Sequence, residues 1–187
     1  MKYLLLFALI FGSSLQLSLA ADKNYASPDK SLEIISRLSP VVPAFNEAFL
    51  TATLKDKDSI CWTYGSIARG FSFSWAPDSS GFLFGITHIT RSMYLYYVHI
   101  DSNGDVYPIS IDLDTTKKQI AASLPEKHGN SAPKSGVDID STQWISSKKC
   151  RLNFYQRFLG ENADSILELD FKDPFHPVVK VVSTKPK

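Results

Sequence analysis

Residues 75–84 form a turn between two apolar strands, and the chemistry of that turn leaves few choices of fold. Pro77 supplies the fixed φ wanted at the second position of a tight turn. Asp78 and the serines after it can bond their own backbone, and Gly81 is expected to take a positive φ at the exit. Ahead of the turn, Phe71, Phe73 and Trp75 alternate with Ser72 and Ser74, one face aromatic and the other polar. A fainter copy begins at Ser27, where Pro28 and Asp29 lead into Leu32 and Ile34. A third, around Trp144, keeps the tryptophan and the turn length but lacks the Pro-Asp pair. Recurrence of a strand–turn–strand unit predicts an all-β chain built from repeated antiparallel sheets.

The rest of the chain is written in the same chemistry. Aromatic residues make up 12% of it and cluster with β-branched neighbours, which suits a pleated surface. Strands are expected at 32–37 and 48–54, with an irregular connection over 38–43, and then at 60–64, 71–75, 82–86 and 92–100. Asn103-Gly104 sits between apolar runs, a hairpin signal whose return strand is 106–113. Residues 114–136 read as a long polar surface loop in which only 120–124 suggests a helical turn. Strands resume at 140–146, 150–158, 165–171 and 178–183, and the last residues, from Thr184, read as a loose tail. Three units result, roughly 26–65, 70–113 and 137–183, each near the forty to fifty residues of a propeller blade.

The N-terminus reads as an address. Lys2 precedes an apolar run over 3–11 that is too short to span a bilayer, and Ser18 and Ala20 are small residues where a signal peptidase would cut. The expected division is a signal peptide over 1–20 and a single all-β domain over 21–187, placed in the periplasm or outside the cell. Loss of Lys2 from the 20 basic residues would leave them balanced against 19 acidic ones. A balanced surface argues against nucleic acid as a partner, and no later apolar stretch predicts membrane insertion. Export also places Cys61 and Cys150 in an oxidising compartment. A disulfide between them is expected, closing a loop of about ninety residues for about 4 kcal/mol; two separate buried thiols are the alternative.

The run 73–84 followed by 94–100 resembles the WD40-like (PD40) repeat of bacterial exported β-propellers such as those of the TolB type. Only 71–113 carries the likeness well. The resemblance implies antiparallel, blade-like sheets forming a partial or incomplete β-propeller, because closed rings usually need at least four blades. A β-sandwich made of similar hairpins is the alternative fold. It also implies that Trp75, Pro77, Asp78 and Gly81 are structural.

Catalytic signals are sparse. There is no Gly-x-Ser-x-Gly elbow, and His88, His99, His128 and His176 lie far apart. Asp101, Asn103 and Asp105 begin like a calcium loop with Asp112 at its twelfth position. The sixth is Val106 where glycine is required, so the hairpin explains them better. No catalytic residue, metal site or cofactor is therefore expected. The better lead is exposed aromatic surface: Tyr94, Tyr96 and Tyr97 occupy both faces of one strand, which predicts at least one tyrosine available for binding. The expected function is that of an exported, non-enzymatic binding or scaffold protein that meets a protein partner, or itself, through loops and sheet edges. A small secreted hydrolase or ligand-binding protein with a carboxylate-lined site is the alternative.

Overall fold

The computed structural model describes residues 23–42, 45–54, 59–88, 92–124, 133–158 and 162–186, with side chains for 24–35, 72–87, 92–124, 139–156 and 162–186. The expected signal segment, the 55–58 turn and His128 lie outside the described residues. Among the described residues the chain is all-β apart from one helix. In order it forms β1 (Lys23–Ala26), β2 (Leu32–Val42), β3 (Phe45–Leu54), β4 (Ser59–Trp75), β5 (Gly81–His88), β6 (Met93–Ile100), β7 (Val106–Ser110), α1 (Leu113–Ser123), β8 (Pro133–Ser146), β9 (Lys149–Phe158), β10 (Asn162–Asp170) and β11 (Val178–Pro186). β1 to β7 pair in sequence order into one sheet and β8 to β11 into another, all antiparallel.

The larger sheet works as two. The first part of β4 pairs with β3, from Ser59 against Leu54 to Ala68 against Asn46. After a register shift at Ala68, the second part pairs with β5, ending with Trp75 against Phe82. Each half of β4 thus completes its own four-stranded meander, and β8 to β11 make a third. The expected separate strands at 60–64 and 71–75 are one, β4, because each half finds its own partner. β2 likewise continues to Val42, past the expected irregular stretch. Pro40 is tolerated there because it adjoins a bulge, where a missing N–H costs little. The expected loose tail is also corrected, since residues 184–186 belong to β11.

Packing follows the alternation. On one face of the middle meander, Phe82, Phe84, Ile86 and Val98 are buried against Leu32 and Ile34 of the first, with Tyr25, Phe73 and Trp75 at the seam. Ring centroids there lie 5.3 Å apart for Tyr25–Phe73 and 4.6 Å for Phe73–Phe82. The opposite face sends Leu83, Met93, Leu95 and Tyr97 against Cys150, Leu152, Phe154, Leu167, Leu169 and Phe171 of the third. Side chains of this size contribute on the order of 2 kcal/mol each when fully buried, so the two seams hold the stack together. Trp144 adds a directed bond, its Nε1 donating to Ser74 Oγ at 2.9 Å.

Of the stretch 114–136 read as a loop, 133–136 already belongs to β8. The part through Ser123 is instead a three-turn helix, of which the expected turn at 120–124 is the end. Asp112 caps it, accepting from the amides of Asp114 and Thr115 at 2.9 and 3.1 Å. Leu113, Thr116 and Ile120 recur at helical spacing and are buried against the same core as the third meander. Its middle is rich in Thr and Lys, so packing and the cap outweigh weak intrinsic propensity. The outer face of the third meander carries polar pairs among exposed Ile145, Ile166, Val178 and Val182. Glu168 meets Lys149 Nζ at 2.8 Å and Arg151 Nη2 at 3.3 Å, and Asn153 donates to Ser141 at 2.8 Å.

Candidate functional site

The Pro-Asp turns come together at one end of the stack. In each, the residue after the aspartate takes a left-handed φ of 64°, Lys30 in the first and Ser79 in the second. The following serine folds back: Ser31 donates its amide and hydroxyl to Asp29 Oδ1, and Ser80 does the same to Asp78 Oδ1. Matching backbone bonds close both turns, Ser27 N to Leu32 O and Ala76 N to Gly81 O. The expected positive φ at Gly81 is corrected, because the left-handed residue is Ser79. Gly81 is required for space: a Cβ there would lie 2.5 Å from Val98 O and 2.7 Å from the Tyr97 hydroxyl.

These turns also touch one another. Asp29 N donates to Ser79 Oγ at 3.0 Å, linking the first turn to the second. The Ser147 hydroxyl reaches Asp78, linking the second to the third. The Ser27 hydroxyl, then the Ser31 amide, hold the Asp29 carboxyl at about 2. Burial tends to raise the Asp78 carboxyl, but bonds from Ser80 and Ser147 outweigh it and keep that group low. A cavity of about 390 Å³ opens beside this ladder, lined by Asp29, Asp78, Ser80 and Asp101 among others. One oxygen of each of its three carboxylates, Oδ1, is taken up in building a turn.

A second cavity, of about 310 Å³, lies against the third meander with Asp140, Asp164 and Lys185 on its walls and no histidine. Among the described residues, no three His, Cys, Asp or Glu side chains converge as a metal would need. Asp101 binds the amides of Asn103 and Asp105 at 2.8 and 2.9 Å, and Gly104 takes φ 85°, so the hairpin uses the residues that resembled a calcium loop. Asp112, its expected twelfth position, is the helix cap. Cys150 carries a free thiol in place of the expected bridge, and burial pushes it up to about 12. The Cys61 side chain lies outside the described residues.

The tyrosines of β6 separate. Tyr94 is 48% exposed, at the end of the strand near Asp112 and Asp114. Tyr96 is half-buried and stacked on Phe84 at 6.2 Å. Tyr97 is only 2% exposed, which removes it from any surface. Its ring lies flat on Phe171 at 4.1 Å, and burial lifts its phenol to about 12.

From Tyr97 a run of rings leads outward to a surface that the sequence did not single out. His99 stacks between Tyr97 at 6.3 Å and Tyr107 at 6.4 Å. Phe175 stands edge-on to both His99, at 5.8 Å, and Tyr107, at 5.6 Å. Phe175 is 51% exposed and Tyr107 38%. The loop that presents Phe175 is braced by Asp173, whose carboxylate accepts from Phe175 N at 3.0 Å and lies 2.9 Å from His176 Nδ1. Phe171 N, at the loop's other end, donates to Lys148 O at 2.8 Å. The β6–β7 hairpin and the β10–β11 loop, far apart in sequence, thus assemble one aromatic patch. Phe175 beside Pro177 in a turn was its one local sign in the sequence. No protein-family model matches the chain, and no curated protein matches it.

Proposed function

We propose that this chain is an exported, non-enzymatic binding module whose three meanders are the blades of an incomplete β-propeller. The apolar 3–11 run and the small residues near Ala20 support a cleaved signal and a periplasmic or secreted location. The likeness of 71–113 to the WD40-like repeat supports the blade reading, as does the matched construction of the first two Pro-Asp turns.

The observation that carries a binding role is the exposed patch of Tyr107 and Phe175 packed on His99. Half-exposed aromatic rings held in fixed positions favour protein contact, since they bury large area at little cost in side-chain entropy. Loops are favoured over sheet edges as the contact route. Pro108 leaves edge strand β7 one N–H short, bulges break β8, and β11 carries Lys180, Lys185 and Pro186, all features that discourage strand addition.

The test is a photo-crosslinking residue at position 175, in cells of a host that exports the chain. The expected result is a discrete adduct that purified mature protein competes away and that is absent with the crosslinker at Lys118 on the exposed side of α1. Equal labelling at both positions, or none, refutes the proposal.

A further inference from the structure

The aromatic patch is bordered by acid. Asp101 and Asp105 stand on the β6–β7 hairpin, and Asp173 braces the Phe175 loop. Asp101 Oδ1 is taken up by the hairpin amides, while Oδ2 lies 3.5 Å from the Tyr107 hydroxyl. The charge of Asp101, joined by that of Asp105, raises the Tyr107 phenol, the sign of a negative potential over the ring. Lys172 is the fixed positive charge on the 171–177 loop, Lys148 adjoins that loop through the Phe171 N–H, and His176 is already engaged with Asp173.

Resting on the binding reading above, we propose that the occupant of this surface is a basic segment of a partner protein, with an arginine side chain lying over the Tyr107 and Phe175 rings. A cation above an aromatic face is drawn by the ring quadrupole, and guanidinium is the cation that stacks best because it is planar and weakly hydrated. Its N–H groups would meet the Asp101 and Asp105 carboxylates at the rim in charge-assisted bonds. An acidic segment would face like charge. A purely apolar one would cover those carboxylates and give them no partner.

The experiment titrates the mature protein with capped tri-arginine, tri-lysine, tri-glutamate and tri-serine peptides at low salt, following the ring protons of Tyr107 and Phe175 by NMR. Tri-arginine is expected to saturate both rings, with tri-lysine weaker by a few-fold and the other two without effect. Two exposed cation–π contacts predict a loss of roughly five- to thirty-fold in the Tyr107→Ala, Phe175→Ala double variant, followed on remaining shifted resonances. Asp101→Asn, which keeps the acceptor that the hairpin needs, and Asp105→Asn should each weaken binding and flatten its salt dependence. These two variants also serve if the double variant melts early. Tri-serine or tri-glutamate binding as well as tri-arginine, or tri-arginine affinity unchanged in the aspartate variants, overturns the proposal. An adduct at position 175 together with such indifference would leave the docking surface standing and remove its preference for arginine. Intact tri-arginine binding without any adduct would do the reverse.

Discussion

Gly81 gives the sharpest test of how the meanders meet. Its missing Cβ makes room for Val98 O and for the Tyr97 ring, whose hydroxyl and Cζ would lie 2.7 and 2.9 Å from an added methyl. The carbonyl belongs to the β5–β6 ladder and cannot rotate away, while Tyr97 is pinned by Phe171. Overpacking of this kind costs about 3 kcal/mol at the upper end of its range. Alanine recovers about 0.5–1 kcal/mol over glycine through lower backbone entropy in the unfolded chain. Gly81→Ala should therefore destabilise by about 2 kcal/mol, a fall of roughly 4–8 °C in Tm for a domain of this size. Gly85→Ala is the control. Its added methyl would meet the Ser72 hydroxyl at 2.6 Å and the flexible end of Met93 at 2.8 Å, both able to yield. The cost there should stay under about 1 kcal/mol. Urea unfolding with unchanged m-value reads both. Tyr97→Phe in the Gly81→Ala background should rescue less than half, because the carbonyl clash remains. Equal stability of Gly81→Ala and the parent, or an equal loss in Gly85→Ala, would refute the reasoning.

Other outcomes follow from the same contacts. Ser79→Ala removes the acceptor for Asp29 N and Trp144→Phe removes the bond to Ser74; each should cost about 1 kcal/mol by urea unfolding. Asp29 has a folded pKa of about 2 against an ordinary 3.8, so its stabilisation is complete well above pH 4 and disappears as pH falls through about 2. Discounted for exposure this is about 1 kcal/mol, and Asp29→Ala should cost that much more at pH 6 than at pH 1.5. The Cys150 thiol, at about 12, should resist alkylation at pH 8 in the native chain and react once unfolded; rapid native labelling, or no thiol on unfolding, contradicts the structure.

Strands and hairpins were legible because their signals are local: alternation in 71–75, the Pro-Asp turn, and Asn103-Gly104. α1 was not, because its stability comes from burying Leu113 and Ile120 against a core assembled by residues far along the chain. β4 was read as two strands, 60–64 and 71–75, because the change of partner that joins them has no local signal. Gly81 was assigned to the turn when its reason lies in β6 and the ring of Tyr97. The aromatic surface was the least legible part. Tyr94, Tyr96 and Tyr97 are adjacent in sequence but point to different surroundings, whereas His99, Tyr107 and Phe175 become neighbours only through the sheet and one loop.

The shared strand β4 has a consequence for how the protein is made. Every strand pairs with the one before it within its sheet, so an emerging chain can add each new ladder to structure already present, with short loops to close. The early part of β4 can complete one meander with β3 before its later part meets β5. The topology permits vectorial growth, the second unit beginning on a strand whose first half is already paired.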